Sequence, residues 1–297
     1  MDLKHYLNNQ RQRIEQALEQ VLPAKDHHPA RLHEAMHYSV FAGGKRIRPI
    51  LMMAACEAVG GDVEQVLPAA CAMEMIHTYS LIHDDLPAMD DDDFRRGNPT
   101  NHKVYGEATA ILAGDALLTE AFVLLSAPAD TPQLKADTQR EVIQLIARAA
   151  GAAGMVGGQV VDMEAEGMEQ PDLATVDYIH AHKTGALILA SIRAGALLGG
   201  ADTEAYEALS RFGKLAGLAF QIADDILDIV GDQQELGKDI GSDQERGKAT
   251  YPAVLGLSES IRRAQELHQQ ALKAIEPLGE AAEPLRQISA YIINRSS

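Results

Sequence analysis

Two runs of aspartate carry the strongest chemical signal in the 297 residues. The first is Asp84-Asp85-Leu86-Pro87-Ala88-Met89-Asp90, followed directly by Asp91, Asp92 and Asp93. The second is Asp224-Asp225-Ile226-Leu227-Asp228, with Asp232 beyond it. On a helix, Asp224 and Asp228 share one face at i and i+4, and Gln221 lies one turn before them. Two ionised carboxylates about 5 Å apart repel by roughly 3 kcal/mol at an effective dielectric near 20. A buried set of them either takes up protons or binds cations. Carboxylate oxygens suit a hard cation, and magnesium takes one or two of them, completing its octahedron with water and substrate phosphates. Two blander readings compete. Acid runs are often solvated helix ends, which fits residues 90–93 best, and a calcium loop would need a D-x-D-x-D-G-x5-E pattern that does not occur.

Cations are scarce, 26 Lys and Arg against 43 Asp and Glu for a net charge of −17, and they fall in particular places. Gly43-Gly44-Lys45-Arg46-Ile47-Arg48-Pro49 packs three into four positions, and Arg95-Arg96-Gly97 follows the first acid run. Lys183-Thr184-Gly185, Lys238 and Lys248 complete the set. None forms a P-loop, since Ser39 and Arg46 stand where Gly and Ser or Thr are required. Arginine forks, lysine point charges and amides beside glycines suit phosphate groups. His77 lies seven residues before Asp84, on nearly the same helical face, and is expected to point toward the acidic mouth. Taken singly, each cation reads as a surface charge. Together with two acidic magnesium sites they point to recognition of diphosphates, one through metal and one through direct cations. So acidic a chain is not expected to bind nucleic acid, which rests on clustered positive charge.

The elements that must position these residues read as helices. Period-2 alternation is not sustained, aromatics are 4% of the chain, and Ala, Leu, Glu, Gln and Met dominate. Breaks at Pro23 to Pro29, Gly43-Gly44, Gly60-Gly61, Pro87, Gly97 to Pro99, Pro128 to Pro132, Gly199-Gly200 and Gly237 to Gly247 divide the chain into roughly ten helices. No linker separates two cores, so the expectation is one all-α domain over residues 1–297. Gly185 to Leu198 and Leu215 to Ile226 are apolar nearly all round, which marks central helices. There is a weak internal echo: each aspartate pair is read as ending an apolar helix, so that two acidic ends can face one another. Cys56 and Cys71 read as reduced core thiols. The N-terminus lacks an apolar signal core, and the longest apolar stretch, around Gly185–Gly200, falls short of a membrane span. A cytoplasmic protein is expected.

In order and spacing over about residues 35 to 255, these motifs resemble the trans-prenyltransferase (polyprenyl synthase) family, nearest to its bacterial farnesyl diphosphate synthases. Gly158-Gln159-Val160-Val161-Asp162, Gly237-Lys238-Asp239 and Gly247-Lys248-Ala249-Thr250-Tyr251-Pro252 belong to the match. The resemblance implies an all-α bundle of the isoprenoid synthase type around a deep central apolar cavity. It implies Asp84, Asp85 and Asp90 binding magnesium from one side and Asp224 from the other, supported by Asp225 and Asp228. Gly44, Lys45, Arg48, His77 and Arg96 would hold isopentenyl diphosphate. Arg95, Lys183, Thr184, Gln221, Lys238 and Lys248 would hold the allylic diphosphate, with Thr184 and Gln221 facing an allylic carbocation. Homodimers are common in the family. Tyr79 and Ser80, five and four residues before the first aspartate, occupy the positions that limit product length, and with the Pro87-Ala88 insertion they imply a farnesyl product. A longer-chain synthase would carry small residues at both positions. A terpene cyclase would carry a different second site, and a non-catalytic partner subunit would have lost one cluster. The chain departs from the family at its C-terminus, where Arg295 alone stands for several basic residues.

Overall fold

A computed structural model describes residues 1–127, 135–166, 168, 171–230 and 248–293. The described chain is helical apart from one two-residue hairpin, Phe94–Arg95 paired antiparallel with Asn98–Pro99. The expected all-α isoprenoid synthase architecture is present. In chain order the helices are α1 (Leu3–Val21), α2 (Ala30–Val40), α3 (Ile47–Ala58), α4 (Leu67–Asp84), α5 (Asn101–Tyr105), α6 (Glu107–Ser126) and α7 (Ala136–Ala150). They continue as α8 (Met155–Ala165), α9 (Leu173–Ile179), α10 (Gly185–Leu198), α11 (Thr203–Val230), α12 (Tyr251–Leu255), α13 (Leu257–Ala274) and α14 (Glu283–Ile293).

α4 starts with Pro68 in its first turn, where a missing N–H costs nothing. Its residues Ala69 to Ile76 are all buried, because α4 packs along both α3 and α6. α10 is central as expected, lying against α3, α7 and α11. α11 is the longest helix described, 28 residues, and packs on α10 and α13. Most buried apolar side chains form one core. A smaller core gathers Val176 and Ile179 of α9, Ile222 and Ile226 of α11, Tyr251 of α12 and Ala264 of α13.

Three local features differ from the sequence reading. The first aspartate pair does end its helix, with Asp85 as the cap of α4, but α11 runs on past Asp224-Asp225 to Val230. The second cluster therefore lies within a continuous helix and not at its end. Between α9 and α10 lies a five-residue π-helical turn, His180–Thr184, which the apolar pattern does not announce. Such turns add a residue to the helical repeat and are frequent at functional sites. Finally, among the described residues the one helix long and apolar enough to cross a bilayer, by length and composition, is α6 and not the 185–200 stretch. α6 packs along α2 and α4.

Candidate active site

The Pro87-Ala88 insertion folds back on its own helix. The Asp90 N–H donates to the Asp84 carbonyl at 2.8 Å, and the Asp91 N–H to Leu86 at 3.1 Å. That loop brings Asp84 and Asp90 into each other's field. Burial pushes the Asp84 carboxyl up to about 6; Lys183 opposes the shift and Asp90 adds to it. Asp85 is buried and takes Arg95 Nε on Oδ1 at 2.5 Å. Burial still holds Asp85 above the usual carboxylate range, and Arg95 offsets only part of this. Arg95 reaches Asp92 as well, at 3.5 Å. Asp91 and Asp93 are exposed, and Asp93 pairs with Lys103 at 2.6 Å, so these two behave as the solvated end.

Behind the first cluster, α3, α4 and the hairpin assemble the cations. Gly44 has φ +126°, and a Cβ there would fall 2.4 Å from the Arg96 guanidinium, so only glycine lets Arg96 lie against this turn. Arg96 donates to the Gly43 carbonyl. Arg48 Nη1 lies 3.1 Å from His77 Nε2. Burial pulls Arg48 down to about 10, with Glu74 and Asp224 pushing the other way. Burial and the neighbouring arginines hold His77 well below its usual value, so it is the acceptor in that pair. His77 thus faces the cation cluster and not the carboxylates its helical face suggested. Arg46, the middle cation of its run, is 2% exposed and locked on Glu74 at 2.7 Å and the Val40 carbonyl at 2.5 Å. Lys45 is exposed.

The opposite side is built by the π-helical turn, α11 and the residues before α12. Lys183 Nζ sits 2.6 Å from Asp162 Oδ2 of α8. Burial works against the Lys183 ammonium, but Asp162, Asp84 and then Asp90 hold it above its ordinary value. Lys248 Nζ lies 4.0 Å from Asp90 Oδ1. Two lysines from this side therefore converge on the carboxylates of the other. On α11, Gln221, Asp224 and Asp228 are half-buried, whereas Asp225 is buried and accepts from His180 Nε2 at 2.8 Å and from the Tyr251 N–H at 2.9 Å. Thr184 is the residue that caps α10. Lys238 and its flanking Gly237 and Asp239, Asp232, and Arg295 lie outside the described residues.

These groups are what ionising a diphosphate ester requires: carboxylates for a hard cation, separate cations for a second anion, and an apolar bundle beneath them. Comparison with known proteins gives the family. The family description "Polyprenyl synthetase" matches residues 29–288. The chain belongs to the polyprenyl synthetase family. It is 52% identical over 258 residues to a farnesyl diphosphate synthase of Geobacillus stearothermophilus, covering 87% of this chain and 86% of that protein. It is 46% identical to a geranylgeranyl diphosphate synthase of Cyanophora paradoxa over 296 residues, 100% of this chain and 97% of the other. Its fold superposes with a TM-score of 0.87 on an apo crystal structure of an FPP/GFPP synthase from Zymomonas mobilis, 39% identical, covering 98% and 99% of the two chains.

For a prenyltransferase of this family the residues one turn before the aspartates gain meaning. Tyr79 is 7% exposed and packs edge-on against the His83 ring, centroids 5.6 Å apart. Burial and the Asp84 charge together push its hydroxyl up, so phenol and carboxylate lie within reach of each other's field. Ser80 Oγ donates to the His77 carbonyl at 2.8 Å. Among the described residues no three His, Cys, Asp or Glu side chains converge on a point that would hold a metal by themselves. A cation shared between one or two carboxylates and a bound diphosphate needs no such cage.

Sequence reasoning passed over three residues. Glu74 is 1% exposed and neutralises Arg46. Asp162 orients Lys183, and its signal was the Gly158-Gln159-x-x-Asp162 motif. A Cβ on Gly158 would meet the Lys183 backbone nitrogen at 2.2 Å, so the glycine lets α8 approach the π-helical turn. His180 and His182, two residues apart, take different faces: His182 stacks on Tyr178, while His180 turns inward to Asp225.

Proposed function

We propose that the chain is a magnesium-dependent farnesyl diphosphate synthase, joining isopentenyl diphosphate 1'-4 to dimethylallyl and then geranyl diphosphate. The observation that carries this reading is the facing of the two sides. Lys183 and Lys248 lie in the field of Asp84 and Asp90, and Asp224 reaches Arg48 from the other helix. In this reading Asp84, Asp90, Asp224 and Asp228 hold the metal, and their donor set fits it. Burial already drives Asp84 toward protonation against the pull of Lys183, and a bound cation would hold it ionised. When bound, magnesium supplies positive charge to the oxygens of the departing diphosphate.

The protein's own groups do the rest. Lys183 and Lys248 hold the allylic diphosphate from one side, and Arg95, bound to Asp85, adds to them from the hairpin on the other. Arg48, Arg96, Lys45 and neutral His77 hold isopentenyl diphosphate, with the Gly44 turn giving room for the guanidinium. As the allylic C–O bond breaks, the Thr184 and Gln221 oxygens face the carbocation, and the apolar bundle keeps water from it. The isopentenyl double bond attacks, and the proton then lost goes to the released diphosphate.

In this reading product length follows from Tyr79, a buried aromatic ring one turn before Asp84. With Tyr79→Ala we expect a shift from fifteen-carbon to longer products, read by chromatography of the dephosphorylated alcohols. An unchanged spectrum would remove Tyr79 as the floor. Twenty-carbon product from the unaltered chain would instead favour the geranylgeranyl reading that the Cyanophora relative supports. We further propose a homodimer through α6. Only 33% of its apolar stretch is buried, with Leu112 58% and Val123 55% exposed, and a solution mass of a single chain would contradict this. The reading is of a cytoplasmic enzyme, in keeping with the free, buried thiols of Cys56 and Cys71.

A further inference from the structure

The Asp225 carboxylate ties together three elements that each carry a charged residue of the site. Its Oδ2 accepts from His180 Nε2 at 2.8 Å and from the Tyr251 N–H at 2.9 Å. His180 opens the π-helical turn whose fourth residue is Lys183. Tyr251 opens α12, three residues after Lys248. Asp225 itself follows Asp224 on α11. The junction is buried: His180 is 5% exposed and Asp225 7%. It is also braced from outside. The Tyr251 ring lies 5.3 Å from the His180 ring, its hydroxyl donates to Asp177 of α9, and Arg263 of α13 stacks over it at 5.6 Å. On its far side the π-helical turn is pinned by Lys183 to Asp162. Without the His180 bond, Ile179 just before the turn still packs with Ile222 and Ile226 of α11 in the smaller core, but the directional link between the turn that carries Lys183 and the helix that carries Asp224 is lost.

We propose that His180 is a positioning residue for the allylic diphosphate site. Through Asp225 it fixes the spacing of Lys183, Asp224 and Lys248, and it touches no substrate itself. This rests on the prenyltransferase reading of the site and adds to it an asymmetry. The cations grouped with Arg48 are carried by α3, α4 and the hairpin, so isopentenyl diphosphate binding does not depend on His180. An ångström-scale displacement of a positioning group costs on the order of 10²-fold in rate.

The test is steady-state kinetics of His180→Ala and His180→Gln with each substrate varied in turn, in magnesium. We expect His180→Ala to raise KM for the allylic substrate about 10-fold and lower kcat about 10-fold, leaving KM for isopentenyl diphosphate within about 2-fold. His180→Gln, whose amide nitrogen reaches the place of Nε2, is expected to recover most of the loss. Equal changes in both KM values, no change in either, or no difference between Ala and Gln would overturn the proposal. Should His180→Ala fail to fold by circular dichroism, His180→Gln is compared with the shorter His180→Asn, and equal kinetics for those two would overturn it. The unaltered chain runs alongside, and its failure to make any prenyl product would count against the functional reading and not against His180.

Discussion

At the end of α4 the second aspartate of the pair, Asp85, is bound by a guanidinium, Arg95, at 2.5 Å. Inside α11 the second aspartate of the other pair, Asp225, is bound by an imidazole and a backbone amide at 2.8 and 2.9 Å. In both pairs the protein engages the second carboxylate for its own architecture, and both of those residues are buried. The first members, Asp84 and Asp224, are only half-buried and lie toward the opposite side, where Lys183 and Arg48 feel them. The comparison teaches a division within each pair: the second carboxylate is buried and bound by the protein, and the first is more open and turned toward the opposite side. It also teaches a difference. The first cluster is fastened by a full charge on a short hairpin. The second is fastened by a polar junction reaching across α9, the π-helical turn and α12.

The largest effects should come from the facing members. Asp84→Ala and Asp224→Ala are each expected to lower turnover by roughly 10³-fold, since several kcal/mol of charge stabilisation at the leaving diphosphate is lost. The fold should survive, because a like-charge repulsion goes with the carboxylate. Near-normal turnover in both variants, measured at saturating magnesium, would mean the division within each pair is drawn wrongly.

A smaller effect concerns pH and the metal-free protein. Asp84 is moved from an ordinary 3.8 to about 6, chiefly by burial, so its proton is held more tightly folded than unfolded. Its contribution to stability is therefore present below about pH 4 and is lost as pH rises through 6. The loss amounts to at most about 3 kcal/mol. Urea denaturation in chelator from pH 4 to 8 should show this fall, and Asp84→Asn should flatten it. A profile that rises with pH through the same window, and is unchanged in the variant, would contradict the burial argument.

The smallest separates the two fasteners. Asp85→Asn leaves the mostly buried Arg95 without its full counter-charge, and we expect a loss of about 2 kcal/mol. Asp225→Asn keeps an amide oxygen for two donors that are satisfied by any acceptor, and should cost under about 1 kcal/mol. Equal losses in urea denaturation would erase the distinction between the two fastenings.

Much of the site was legible because its motifs are local. Asp84 to Asp90, Gly43 to Arg48 and Asp224 to Asp228 announce themselves by residue type and spacing within a few turns of helix. The all-α class was legible for the same reason, from helix formers punctuated by Gly and Pro. What the sequence hid is pairing across long separations. Arg46 with Glu74, Lys183 with Asp162 and His180 with Asp225 are set by how α3, α4, α8, α10 and α11 pack, and no local spacing encodes them. His77 was misdirected by the same gap: its helical face was read correctly, but the neighbour on that face, Arg48, comes from another helix. The reach of α11 was underestimated because paired aspartates were read as a stop, whereas the helix continues through Val230. The π-helical turn left no trace in a pattern of apolar residues that suits an uninterrupted helix as well.

The most direct test of the paired-cluster account is a product assay of the unaltered chain with labelled isopentenyl diphosphate and dimethylallyl or geranyl diphosphate. It is run in magnesium and again in excess chelator. The account predicts fifteen-carbon prenyl diphosphate in magnesium and none in chelator. Full activity in chelator, or no prenyl product with either starter, would contradict it.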